Sequence, residues 1–286
     1  MDTNLSPENP PAHQLSPTSG PQGIACYQLT HESGAEATFA QHGGHLISWK
    51  TADGQERLYL SETADYGTGK AIRGGVPVIF PQFSDHGPLG RHGFARKAEW
   101  EANLESGTLK LQTTTSSQPE WPYETALEIG VVLGNSDLQI QMTVQNLGSK
   151  SFEFHAALHT YLQVSNVETS VVRGLAGREF VNEVTKQRET DPKAEITFGE
   201  EIDRGYFGAG SQEVILADEA VNLRITSEHF PDLVVWNPGP EHGIGDMPTD
   251  DWRRFVCIEP AQVESRRTLA PGETWTGIQQ IEVMNR

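Results

Sequence analysis

Cysteine is scarce in this chain: two residues in 286, Cys26 and Cys257. Their wide separation, with no C-x-x-C spacing, argues against a disulfide framework or a cysteine zinc site. A reducing cytoplasm is the expected compartment. No run approaches the ~18 consecutive apolar residues that a membrane-spanning helix needs, so no membrane partner is expected. The amino terminus, MDTNLSPENPPAHQLSPTSGPQG, carries an acid at position 2 and no apolar run, which predicts no ordinary secretory signal. Positive charge is also short, with 21 Lys+Arg against 39 Asp+Glu and a net charge of −18. That balance argues against general nucleic-acid binding but leaves room for an anionic small molecule where basic residues gather. There is no G-x-x-x-x-G-K-[ST] phosphate loop, no G-x-S-x-G and no G-x-G-x-x-G after a strand. Helical periodicity is nearly absent.

What the chain does have is punctuation. Its 28 Gly and 17 Pro separate short runs that alternate apolar and polar residues with period two. TLKLQTTT at 108–115, LEIGVVL at 127–133, LQIQMTVQN at 138–146 and FEFHAALHTYLQV at 152–164 read as strands. So do VNLRITS at 221–227, DLVVWN at 232–237, RFVCIE at 254–259 and TWTGIQQIEV at 274–283. The length alone would suggest about two domains, yet large sandwiches reach this size as one unit. The reading is an all-β chain with one large antiparallel β-sandwich over 23–286. Residues 1–22, rich in Pro, Ser, Asn and Gln, are expected to be a disordered extension.

Three segments could carry chemistry. In FEFHAALHTYLQV, strand alternation puts Phe152, Phe154, Ala156, Leu158, Leu162 and Val164 on one face. His155, His159 and Tyr161 then share the other, where imidazoles beside a core need partners. As a helix the two histidines would be an i, i+4 metal pair, but Ala156 stands where H-E-x-x-H requires glutamate. In RFVCIEPAQV an apolar run ends in Glu259 before Pro260, a place where a carboxyl pKa can be raised or where the strand simply reaches the rim. Finally, AIRGGVPVIFPQF and LGRHGFARKAEW gather Arg73, Arg91, His92, Arg96 and Lys97, a local reversal of the overall charge. Arginine forks suit phosphate oxygens. EHGIGDMPTDDW at 241–252 lacks the calcium-loop spacing and reads as a plain loop.

Six segments, in order, resemble the aldose 1-epimerase (mutarotase) superfamily, and within it the branch acting on hexose 6-phosphates. They are GGHLISWK at 43–50, IRGGVPVIFPQF at 72–83, HGFAR at 92–96, LHTYLQV at 158–164, VVWNPG at 234–239 and CIEPAQV at 257–263. The resemblance implies a large antiparallel sandwich and an α/β anomer exchange of a hexose 6-phosphate, glucose 6-phosphate first. It makes His159 the catalytic acid and Glu259 the catalytic base. Arg73, Arg91, Arg96 and Asp203 become substrate-holding positions. Apart from the resemblance, the chemistry of ring opening suggests His92 as an assisting hydrogen-bond partner near the ring oxygen. Position 91 is often glutamine in the family, which leaves Arg91 between phosphate and sugar ring. Alanine at 261 replaces a common glycine.

Ring opening needs one base and one acid, so no cofactor and no metal is expected, and the partner is a small sugar phosphate met by a monomer. An ionised Glu259 facing a protonated His159 would be complementary at neutral pH. Three other readings stay open: a free-aldose mutarotase, a metal enzyme using His92, His155 and His159, and a non-catalytic sugar-binding sandwich. The last would stack sugars on exposed Trp49, Trp121 or Trp236.

Overall fold

The computed structural model describes residues 13–106, 108–115, 120–191, 193–208 and 213–284. β1 (His13–Ser19), β2 (Ala25–His31), β3 (Glu36–Ala40) and β4 (His45–Lys50) form an antiparallel four-stranded sheet in that order. After a long loop come β5 (Val78–Ile79), β6 (Glu101–Glu105), β7 (Thr108–Thr115), β8 (Thr125–Leu133), β9 (Asp137–Asn146), β10 (Phe152–Leu158) and β11 (Tyr161–Gln163). Six short strands follow: β12 (Val171–Arg173), β13 (Glu179–Asn182), β14 (Gln187–Thr190), β15 (Glu195–Thr197), β16 (Ile202–Tyr206) and β17 (Val214–Ala217). The chain closes with β18 (Asn222–Glu228), β19 (Asp232–Asn237), β20 (Phe255–Leu269) and β21 (Thr274–Met284).

Two large sheets result. One runs β15-β12-β17-β18-β21-β9-β8-β7-β6, and the other β14-β13-β16-β19-β20-β10-β5, with β11 also paired to β20. Period-two alternation decides what lies between them. β9 alternates partly exposed and buried residues along its whole length, so Leu138, Ile140, Met142 and Val144 point into the core while Gln139, Gln141 and Thr143 face outward. Phe152, Phe154, Ala156, Leu158, Leu162 and Val164 meet that face in one continuous apolar cluster, as their spacing predicts. Leu29, Phe39, Leu46 and Trp49 of the first sheet join the same cluster, so one core serves all three sheets. The antiparallel sandwich expected from the sequence is what forms. Among the described residues no helix is long and apolar enough to cross a membrane.

One expectation changes. The supposed disordered extension contains β1, which pairs with β2 over seven residues, from His13 opposite His31 to Ser19 opposite Ala25. An edge strand needs backbone partners more than apolar side chains, and polar composition does not forbid that. Pro17, which lacks a backbone donor, is tolerated because β1 is at the sheet edge. Leu15 packs against the core and His13 Nε2 lies 2.8 Å from the Leu133 carbonyl oxygen. The rest of the extension, 1–12, lies outside the described residues.

The large sheet carrying β10, β19 and β20 has one face in the core. Its other face is covered by loops, and there the polar residues of the sequence motifs converge.

Candidate active site

Strand register builds the floor of the site. Asp203 on β16 lies opposite Trp236 on β19, Trp236 opposite Cys257 on β20, and Cys257 opposite Tyr161 on β11. The adjoining row runs from Gly205 through Val234 to Glu259. His159 stands two residues before Tyr161, in the break between β10 and β11, and its backbone N–H donates to the Pro77 carbonyl (3.1 Å). The same strands thus send Leu158, Leu162, Val256 and Ile258 into the core and turn His159, Tyr161, Cys257 and Glu259 to the opposite side.

Two loops bring the cations. In the first, Gly74 and Gly75 take φ of 103° and 61°, and a Cβ on either would strike the backbone of Tyr59 or Leu46. This tight passage lets Gly75 N–H reach the Tyr59 carbonyl (2.7 Å) and Tyr161 N–H reach the Gly75 carbonyl (2.9 Å), stitching the loop to the floor beside Arg73. In the second, His92 adopts a left-handed φ of 62°. Ser84 N–H donates to His92 Nδ1 (3.2 Å), which leaves Nε2 as the protonated nitrogen of the neutral ring.

The result is a cavity of about 560 Å³, within the range of small-molecule sites. All seven positions singled out in the sequence line it: Arg73, Arg91, His92, Arg96, His159, Asp203 and Glu259. A second cavity of about 500 Å³, bordered by Trp121, Tyr123 and Arg266, contains none of them.

At the centre His159 Nδ1 lies 3.2 Å from Glu259 Oε1, with Glu259 only 1% exposed. The two groups are close but not aligned as a hydrogen bond. His159 Nδ1, Glu259 Oε2 and, across the cavity, Arg96 Nε have no hydrogen-bond partner among the described residues. Buried polar atoms are nearly always paired, so three orphans on side chains that line one cavity single it out as a polar site with unmet bonding capacity. The imidazole is held flat by Tyr161, stacked at 4.9 Å and 10°, and edge-on by Trp236 at 5.7 Å.

Burial sets the proton affinities. It pushes the Glu259 carboxyl well above the ordinary carboxylate range, with the Asp203 charge adding to the effect. It drives the His159 imidazole well below its usual value, with Arg96 and Arg73 contributing. Burial therefore works against the ionised pair expected from the sequence, raising the proton affinity of Glu259 and lowering that of His159. Burial likewise keeps His92 neutral, with His159 and Arg96 nearby. Asp203 is raised to about 6 by burial, then by Glu183 and Glu201. Burial also lowers Arg96 to about 10, still charged at neutral pH.

The cations are not equivalent. Arg73 Nε donates to Asp246 (3.1 Å), and Arg91, at the exposed rim, donates to Asp85 (3.1 Å). Arg96 donates to the Arg91 carbonyl (2.8 Å) and has no carboxylate partner among the described residues. It is the arginine with charge to spare for an anion.

As for metals, His159, Cys257 and Glu259 bring ligand atoms within 4.8 Å of one another. The donor set would suit zinc, but Arg73 and Arg96 charge the same cavity positively and burial holds the Cys257 thiol strongly protonated. The set does not suit a resident cation. The alternative trio of His92, His155 and His159 does not form a ligand group, because His155 Nδ1 accepts from Phe83 N–H (3.3 Å) as His92 Nδ1 does from Ser84. Trp49 is fully buried and Trp121 borders only the second cavity; Trp236 does face the first. Sequence reading missed Asp85, Glu183 and Lys186 on the rim and Asp246 behind Arg73. These sit in loops and a hairpin with no periodic signal.

A sandwich of this topology, with an imidazole, a carboxyl and arginines gathered over one sheet face, is the architecture to set beside known proteins. The aldose 1-epimerase family model matches residues 25–282, and the chain belongs to that family. Its relatives include proteins of Cenchrus ciliaris and Escherichia coli K12, each provisionally named glucose-6-phosphate 1-epimerase. The first is 32% identical over 90% of this chain and 84% of its own length, the second 34% identical over 88% of each. The crystal structure of a Salmonella typhimurium protein, provisionally called a mutarotase, superposes with a TM-score of 0.80 at 26% identity. That match covers 95% of this chain and 97% of the other. The chain is accordingly an epimerase, an isomerase by class.

Proposed function

We propose that this epimerase interconverts the α and β anomers of a hexose 6-phosphate, glucose 6-phosphate foremost, with Glu259 as base and His159 as acid. The observation that carries the reading is that His159, Glu259 and Arg96 line one sugar-sized cavity while each keeps a buried polar atom, Nδ1, Oε2 and Nε, unpaired among the described residues. The names of the relatives supply the sugar phosphate.

Ring opening removes the proton of the C1 hydroxyl and delivers one to the ring oxygen. Glu259 takes the first and His159 gives the second. The C1–O5 bond breaks to an aldehyde, C1–C2 rotation exposes the other carbonyl face, and both transfers run backward on closure. The proton count of the pair never changes. Burial raises the affinity of Glu259 and lowers that of His159, so it makes the carboxylate a stronger base and the imidazolium a stronger acid. The neutral pair favoured by burial is the state left after ring opening, so the site is biased toward the step that is hard in water. Arg96 anchors the phosphate with Arg73 and Arg91 beside it, and Asp203 accepts from the sugar hydroxyls. His92 donates from Nε2 near the ring oxygen.

The test is NMR exchange between anomers over a panel of glucose 6-phosphate, galactose and glucose. The E259Q protein should lose ~10²–10⁴-fold of the rate above the spontaneous reaction. A wild-type rate for E259Q would remove the base assignment, and a preference for free galactose would replace the phosphorylated substrate.

A further inference from the structure

The acidic loop at 241–252, which the sequence marks as nothing more than a connection, reaches the back of the cavity. Asp246 Oδ1 accepts from Arg73 Nε at 3.1 Å, and both side chains are only 27% exposed. The same guanidinium donates from Nη1 to the Tyr161 hydroxyl at 3.1 Å. The Tyr161 ring is the one stacked on His159. A chain of contacts therefore runs from a loop carboxylate, through an anion-binding arginine, to the imidazole.

We propose that Asp246 is a positioning residue of this site: it fixes the Arg73 guanidinium and, through the Tyr161 hydroxyl, the ring that aligns His159. An arginine at a cavity wall has several rotamers, and an unpaired fork would sample them. With Nε on Asp246 and Nη1 on Tyr161, the guanidinium plane is set and Nη2 remains to meet a ligand. Partial burial makes this pair stiffer than a solvated surface pair, whose net contribution is small.

The carboxylate can be removed without moving the loop. Ser61 Oγ donates to the Asp246 carbonyl (2.8 Å), and the Tyr59 hydroxyl donates to Asp251 (2.8 Å). Met247 packs in an apolar cluster with Tyr59, Tyr161, Phe255 and Cys257. These contacts hold the backbone, whereas the carboxylate holds the arginine.

The kinetic arm of the test rests on the proposed anomer exchange; a spectroscopic arm does not. In substrate-free protein, the Arg73 Nε proton should exchange slowly with water by ¹⁵N NMR and at least ~10-fold faster in D246N, because a charge-assisted bond is lost. With glucose 6-phosphate, D246N should raise KM about 10-fold and lower kcat less, with thermal unfolding unchanged as the control. D246S, which also removes the charge, should reproduce both effects. In an R73Q background the D246N effect should shrink strongly, since the hydrogen-bonded partner is gone and the longer-range attraction to Arg96 is what remains. Wild-type exchange and KM in D246N would overturn the proposal, as would an undiminished D246N effect in R73Q. If the wild type exchanges no anomers, the proposed function falls, while the Arg73 proton still decides whether Asp246 holds it.

Discussion

Asp203, the proposed acceptor for the sugar hydroxyls, is costly to ionise in the fold. Burial and the nearby Glu183 and Glu201 charges raise its pKa to about 6, so the fold penalises the ionised form, the one that offers both oxygens as acceptors. The folded state holds a proton on Asp203 more tightly than the unfolded chain, whose carboxyl titrates near 3.8. Stability is therefore lost as pH rises from about 4 to about 6, and the loss is complete above that. Asp203→Asn removes the penalty. Its melting temperature should exceed wild type at pH 7.5 and converge with it near pH 4, while KM for the sugar rises. An equal difference in melting temperature at both pH values would show that Asp203 is not strained by its charge. In the proposed mechanism His159 and Glu259 fit the same description: a site that stabilised their charged forms in water-like surroundings would weaken both as proton carriers.

At the scale of elements, the first sheet offers a separable test. β1 contributes seven register pairs and the packing of Leu15, but none of its residues lines the cavity. Deleting residues 1–19 exposes the β2 edge and should lower the melting temperature by roughly 2–6 °C while anomer exchange stays within about twofold of wild type. No thermal change would mean that β1 adds nothing to the fold. This strand also shows what the sequence conceals. β7 and β19 have the bounds that alternation predicts, and β9 comes within a residue, because each is long enough to repeat its period against one core. β12 to β17 have three to five residues each, too few for a period, and β1 hides behind a polar composition. The sequence brings out His159 and Glu259, the proposed acid and base, through HTY and CIEP, and Asp203 through family likeness alone; all three line the cavity. That Asp203 faces Trp236, and Trp236 faces Cys257, is a matter of register between strands distant in sequence. Asp246 could not be foreseen, since a loop carries no periodicity and its partner lies 173 residues away.

For the whole molecule, the buried histidines set the response to acid. Burial lowers His45 to about 3 and His155 to about 4, and holds His92 and His159 well below 6.5. Each stays neutral in the fold where the unfolded chain would protonate it. Stability then falls as pH drops from about 6.5 toward 4, with one proton taken up on unfolding per histidine. Asp203 and Glu259 act in the opposite sense, because the fold binds their protons more tightly than the unfolded chain does. The histidines outnumber these carboxyls, so net proton uptake on unfolding is expected in this pH range. Melting temperature should therefore decline steadily below pH 6.5, well above the range where ordinary surface carboxylates titrate. Replacing His45, whose Nε2 lies 2.7 Å from the Gly74 carbonyl oxygen beneath the Arg73 loop, with Gln should flatten the slope by close to one proton. A pH profile that is level between 6.5 and 5, in wild type and H45Q alike, would mean that these rings are not neutral in the fold. The protonation argument for the acid–base pair would then lose its footing, since the same desolvation governs His159.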